Sequence, residues 1–179
     1  MSRFRISQAL FALGAPTMVA SLLASAPAPE WMPVSGVFTM KYTQQQGLPV
    51  SDAAGPVLLL NQSAGTNRNT GTSDYMSGGE VINREIAELT QGNGPHQGYI
   101  TEIKGADTAV TRYEGHVTTT LGPDQKPATR FEGKWTKLSG SGKYAGVAGN
   151  GTYTGRMLSP TEYTVQWSGN IVLNRTASR

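Results

Sequence analysis

Arg112-Tyr113-Glu114-Gly115-His116 and Arg130-Phe131-Glu132-Gly133-Lys134 are near-copies of one pentapeptide. Each sits among Thr and Val residues that favour extended chain. Read with a period of two, Tyr113, Gly115 and Val117 share one face, as do Phe131, Gly133 and Trp135. Arg112, Glu114 and His116 share the other, as do Arg130, Glu132 and Lys134. Pairing the two runs antiparallel predicts rings turned toward a common interior. Outside, it predicts a ladder of opposite charges, each pair contributing about 0.2 to 1 kcal/mol. The competing arrangement makes Glu114 and Glu132 an inward carboxylate pair for acid–base work, with Arg112 or Arg130 stabilising charge. It inverts the apolar alternation.

Outward from this pair, the same rhythm recurs. Val34 to Tyr42 alternates Phe38, Met40 and Tyr42 against Val37, Thr39 and Lys41, and Tyr163 to Leu173 turns Val165, Trp167 and Ile171 to one side. Val57 to Asn61 reads as a short strand, followed by a polar, exposed loop from Gln62 to Ser73. Glu80 to Thr90 satisfies helical spacing through Ile82, Ile86 and Leu89 but also alternates, and a strand is favoured. Gln91 to Pro95 is turn chemistry, which places His96 in a turn at the surface. Tyr99 to Lys104, Thr108 to Leu121 and Thr129 to Leu138 follow as strands. Between Ser139 and Gly155, closely spaced glycines mark strand bends and close backbone approach. About eight short strands with turn signals between them give the fold class: all-β, a single closed antiparallel barrel.

The chain has 179 residues, room for one domain. At its start, Arg3 and Arg5 precede an apolar stretch and then Ala24-Ser25-Ala26, the layout of a secretory signal peptide. The expected division is 1–26 leader, 27–33 linker, 34–174 barrel and 175–179 tail, with Trp31 docking where the barrel begins. The expected compartment is periplasmic or secreted, with no membrane insertion once the leader is gone. Pro27 is awkward for cleavage after Ala26, which leaves cleavage after Ala24 or Ala28, or retention as an anchor, open. The chain contains no cysteine, which excludes a disulfide framework, a cysteine zinc site and a thiol nucleophile. Its formal charge is +3; without Arg3 and Arg5, 13 basic face 12 acidic residues, or +1. A near-neutral domain without a basic run lacks the footprint of a nucleic-acid binder.

Candidate ligand-binding residues are the aromatics Tyr99, Tyr113, Phe131, Trp135 and Trp167. An interior of eight strands is either filled by such side chains or holds one small ligand, and the residues leave both open. Glu88, Arg84 and Tyr113 are the candidates for any catalysis. Neither His96 nor His116 belongs to a cluster with metal-ligand spacing, so no metal site is expected. Gly140-Ser141-Gly142-Lys143 lacks the spacer and the following Ser/Thr of a phosphate loop.

Lys134-Trp135, the run Ser139-Gly140-Ser141-Gly142-Lys143-Tyr144-Ala145-Gly146-Val147-Ala148-Gly149-Asn150-Gly151-Thr152-Tyr153-Thr154-Gly155, and Tyr163-Thr164-Val165-Gln166-Trp167-Ser168-Gly169 resemble the allene oxide cyclase-like barrel group, whose architecture dirigent proteins share. The resemblance is clearest over Gly133 to Leu173 and thins toward Val34. It implies an eight-stranded barrel, a small apolar ligand, no cofactor and often a homo-oligomer. No catalytic residue of the family matches a position here. Three functions follow as expectations: an exported barrel binding a small, largely apolar molecule; a cofactor-independent cyclase or isomerase; and an envelope interaction protein whose outer sheet face docks to itself or a partner.

Overall fold

The computed structural model describes residues 30–51, 55–122 and 124–173. The expected leader, residues 1–26, the start of the expected linker, residues 27–29, and the expected tail, residues 175–179, lie outside them. The strands are β1 (Met32–Pro49), β2 (Val57–Asn69), β3 (Glu80–Leu89), β4 (Gly94–Lys104), β5 (Asp107–Leu121), β6 (Pro127–Ser141), β7 (Val147–Met157) and β8 (Glu162–Leu173). Each pairs antiparallel with the next, and β8 returns to β1, so the sheet closes as an eight-stranded barrel. Closure uses the first half of β1, from Met32 opposite Ile171 to Lys41 opposite Glu162. With both edges joined there, no open strand edge is left along that seam.

The pentapeptide strands lie as their alternation requires. Tyr113 stands opposite Trp135, Gly115 opposite Gly133 and Val117 opposite Phe131, all on the inner side. Glu114 faces Lys134 and His116 faces Glu132 on the outside. The ion pair formed there is Arg112 with Glu114, at 3.6 Å along β5, rather than a cross-strand rung. These ends are more than half exposed, so water competes well and the charges chiefly keep this flank solvated.

Glycine placement explains how the rings fit. Five of the inward rings lie against a glycine on a nearby strand, where no side chain competes for the space. A Cβ at Gly98 would lie 2.7 Å from Tyr113 Oη, one at Gly36 2.6 Å from Trp167 Cζ2, and one at Gly151 2.5 Å from Trp135. The Phe131 ring occupies the space a side chain at Gly155 would need, and Tyr153 does the same at Gly115 and Gly133. Gly115 and Gly133 of the pentapeptides, with Gly151, Gly155 and Gly169 of the last third, are therefore clearances for rings. Each ring so covered contributes roughly 2 to 3 kcal/mol of burial.

One end of the barrel is plugged. The connection from β2 to β3 folds inward and buries Tyr75 and Met76 completely, and the 3-10 turn Gly142–Tyr144 between β6 and β7 sets Tyr144 beside them. Asn67 Nδ2 donates to the carbonyls of Tyr75 and Met76 at 3.3 and 3.2 Å, and Met76 N–H donates to Tyr144 Oη at 3.1 Å. Among the described residues nothing comparable closes the opposite end, where the β1–β2, β3–β4, β5–β6 and β7–β8 hairpins turn.

Three expectations are corrected. The stretch from Gln62 is strand as far as Asn69, because Asn61, Ser63 and Asn67 alternate inward and find partners there. His96 is not in a surface turn: the tight turn is complete by Asn93, β4 begins at Gly94, and His96 is buried. Trp31 does not dock; it precedes β1 and is half exposed.

Gly133→Ala should cost about 1 to 3 kcal/mol in urea unfolding, because its methyl meets the Glu114 carbonyl and Tyr153 Oη. Gly47→Ala, whose methyl meets only ordinary contacts at 3.4 Å, should change stability by well under half that amount.

Candidate functional site

Above the plug the interior is not filled. A cavity of about 270 Å³ remains, reaching from Trp167, Glu102 and Lys137 near the plug to Leu59, Leu89 and Met157 at the hairpin end. Four of the aromatics read from the sequence, Tyr113, Phe131, Trp135 and Trp167, line it together, joined by Phe38, Tyr153 and Tyr163. Their rings meet edge to face, Tyr113 on Tyr153 at 5.6 Å and Trp135 on Trp167 at 6.4 Å. Such pairs fix orientation as well as burying area.

Tyr99, Arg84 and Glu88 are not part of this site. Arg84 stands directly opposite Tyr99, and all three side chains are exposed on the outer face. The parity of β3 is the reverse of the apolar rule: Val81, Asn83, Glu85 and Ala87 point inward while Ile82, Arg84, Ile86 and Glu88 point outward. On β4 the inward positions include His96, Gly98 and Glu102.

This reversal lays a polar wall against the aromatic one. Glu85 Oε1 sits 2.7 Å from His96 Nδ1, and Asn61 Nδ2 donates to Glu85 Oε2 at 3.1 Å. With His96 donating from Nδ1, its Nε2 accepts from the Tyr153 hydroxyl at 2.9 Å. Tyr153 reaches across β5 and β6 because Gly115 and Gly133 leave room for its ring. Beside this chain, Asn83 Nδ2 donates to Tyr163 Oη at 3.1 Å, and Ser63 Oγ lies 2.5 Å from the same oxygen.

Near the plug a second buried pair stands apart. Lys137 Nζ is 2.6 Å from Glu102 Oε2 and 2.8 Å from Thr111 Oγ1, and Tyr75 Oη donates to Glu102 Oε2 at 3.0 Å. The ammonium also lies 4.7 Å from the centre of the Tyr75 ring. A buried charge survives only when paired and hydrogen-bonded, and here both conditions hold. Glu102 Oε1 and the Oδ1 atoms of Asn61 and Asn83 are left as buried acceptors with no protein partner.

Burial sets the titration of the phenols. It raises Tyr42, Tyr75, Tyr113 and Tyr153 well above the ordinary value, with Glu102 adding to the rise at Tyr75 and Glu85 at the other three. Tyr163 is pushed up to about 12, its hydrogen bonds from Ser63 and Asn83 offsetting part of the burial. The arrangement therefore supplies neutral phenol donors, one carboxylate–imidazole–phenol chain and a paired lysine around an aromatic-walled space. Among the described residues no three His, Asp or Glu side chains converge on a metal position.

Sequence reasoning found the aromatic wall and missed the polar one. The available signal was glycine parity: Gly94 and Gly98 flank His96 at two-residue spacing, as inward Gly115 and Gly133 do in their own strands. No protein-family model and no curated protein sequence matches the chain. An eight-stranded barrel is a widespread architecture and does not by itself assign the chain to the allene oxide cyclase-like group.

Lys137→Met should lower stability by about 3 to 5 kcal/mol in denaturant titration, because it strands the Glu102 carboxylate. Lys137→Met combined with Glu102→Gln should recover most of that loss.

Alkaline pH should unfold the protein. A phenol raised in the folded state binds its proton more tightly there than in the unfolded chain, so its stabilisation is intact below pH 10. It is lost as pH rises toward the folded value, about 12 for Tyr163. Each such tyrosine adds a slope of about 1.4 kcal/mol per pH unit above 10. Absorbance at 295 nm should show these phenols ionising together with loss of tryptophan packing rather than before it.

Proposed function

We propose that this barrel is an exported binding protein for a small, largely apolar molecule that carries one polar group. The observation that supports it is the unfilled, aromatic-walled interior of about 270 Å³, closed at the plug end. An apolar cavity of about 150 Å³ holds benzene. By that scale this interior suits a compact molecule of one or two rings. Pockets of this kind take their affinity from apolar walls and their selectivity from a few placed polar groups. Here the walls are Phe38, Tyr113, Phe131, Trp135 and Trp167, and the polar groups are those on β2, β3 and β4. The leader-like start of the chain supports a periplasmic or secreted site of action.

A second reading, a cofactor-independent cyclase or isomerase, draws support from the Glu85–His96–Tyr153 chain. In it the carboxylate orients the imidazole and the imidazole takes or returns the phenol proton, with positioning against the aromatic wall supplying the rest. Glu88 and Arg84, the sequence candidates, have no part in this reading because they face outward.

The test uses 4-nitrobenzyl alcohol, an aromatic ring with one hydroxyl and a nitro group that quenches indole emission. Quenching should saturate in the wild-type protein. It should weaken at least about tenfold, or some 1.4 kcal/mol, in Ala87→Phe, which fills the cavity from β3. Linear, unsaturable quenching that is equal in both proteins would overturn the proposal.

A further inference from the structure

The reversed parity of β3 that turns Asn83 and Glu85 inward also turns apolar side chains out. On the outer face Leu60 stands directly opposite Ile86, and Leu48 directly opposite Leu58. Tyr99 lies opposite Arg84 on the far side of β3. Leu48, Leu60, Ile86 and Tyr99 are each more than half exposed, and Leu58 is 39 % exposed. The opposite flank, β5 and β6, presents Arg112, Glu114, Glu132 and Lys134 instead. On β5 and β6 the exposed Leu121 and Leu138 stand apart from one another at opposite ends of the strands, whereas here exposed apolar residues adjoin across four strands, and a contiguous stripe of this kind is the mark of a contact surface.

The charges beside the stripe identify what it contacts. Along β3 the outward order is Arg84, Ile86, Glu88, so opposite charges sit at equal distance on either side of Ile86. Among the described residues neither has an oppositely charged group within 4 Å. Two copies of this face can stack about a two-fold axis lying in the interface in two simple ways. An axis along the strands sets Arg84 on its own copy and Glu88 on its own copy, which repels. An axis across the strands sets Ile86 on Ile86 and Leu60 on Leu60, and brings Arg84 of each copy over Glu88 of the other. Successive outward residues on a strand are about 6.8 Å apart and stacked sheets lie about 10 Å apart, a span that a Glu and an Arg side chain reach together.

We propose that the β2–β3 outer face is the interface of a symmetric homodimer, with Ile86 on the two-fold axis and reciprocal Arg84–Glu88 pairs flanking a Leu60–Ile86 centre. The surface is self-complementary in shape class and in charge, as an isologous contact must be. It lies outside the barrel wall, so ligand binding in each copy proceeds independently of it.

Sedimentation equilibrium of the purified protein, with its single-charge variants and their double exchange, tests the proposal. The wild type should run at twice the chain mass. Ile86→Lys should run as monomer or dissociate at least about tenfold more readily. Arg84→Glu and Glu88→Arg should each weaken the dimer, and Arg84→Glu with Glu88→Arg together should restore it, because the exchange preserves reciprocal pairing. Circular dichroism and saturable 4-nitrobenzyl alcohol quenching should be unchanged in all of them, which separates loss of the interface from loss of the fold or the cavity. A wild type that stays monomeric as concentration rises would overturn the proposal, as would a dimer indifferent to Ile86→Lys. A dimer that the double exchange fails to restore would overturn the antiparallel arrangement.

Discussion

Large rings lying flat over glycines on the neighbouring strand are the constraint on which the rest of this barrel depends. Eight strands enclose a space that side chains alone can fill, so rings without such clearance would crowd the interior that stays open. Gly36, Gly98, Gly115, Gly133, Gly151 and Gly155 provide that clearance against five different rings. Because each ring is pressed to the wall, the centre stays empty, and the emptiness is the cavity. The space and its aromatic lining have one cause.

The same constraint organises the polar groups. Tyr153 crosses two strands to meet His96 only because Gly115 and Gly133 stand in its path with no side chain. The chain from Asn61 through Glu85 and His96 to Tyr153 thus links β2, β3, β4 and β7 across the lumen. A buried network of this kind is costly if half satisfied and specifying when complete. Near the plug, Lys137, Glu102, Thr111 and Tyr75 do the equivalent for β6, β4, β5 and the β2–β3 connection. One network lies beside the plug and the other further along the cavity wall, with Leu59, Leu89 and Met157 beyond it toward the hairpin end.

How far the sequence was legible follows from where its alternation is orthodox. In β1, β5, β6 and β8 the apolar residues face inward, and Phe38, Tyr113, Phe131, Trp135 and Trp167 could be placed from a period of two alone. In β3 and β4 the polar residues face inward, and the apolar rule sent Tyr99, Arg84 and Glu88 to the wrong side. His96 was hidden by the Gln91-Gly92-Asn93-Gly94-Pro95 run, whose turn chemistry is real but is spent by Asn93. The strand from Gln62 to Asn69 was hidden because Ser63 and Asn67 face inward as polar residues, Ser63 meeting the distant Tyr163 and the Asn67 amide donating to the Tyr75–Met76 backbone of the inward-folded connection.

The inverted strand carries its own argument about purpose. A one-residue slip of β3 would put Ile82 and Ile86 inside and Glu85 outside, the ordinary solution for a barrel built only to be stable. The chain forgoes it, and what opposes the slip is visible: Val81 and Ala87 are buried inward on the same parity, and Glu85 has both oxygens engaged by His96 and Asn61. Burying a carboxylate while exposing Ile86 and leaving Ile82 only half-buried on the outside costs stability on both faces of the sheet. Such a cost is expected where local rules give way to function. On this strand the inner face borders the cavity and the outer face borders the apolar stripe, so a single parity choice serves both surfaces at once.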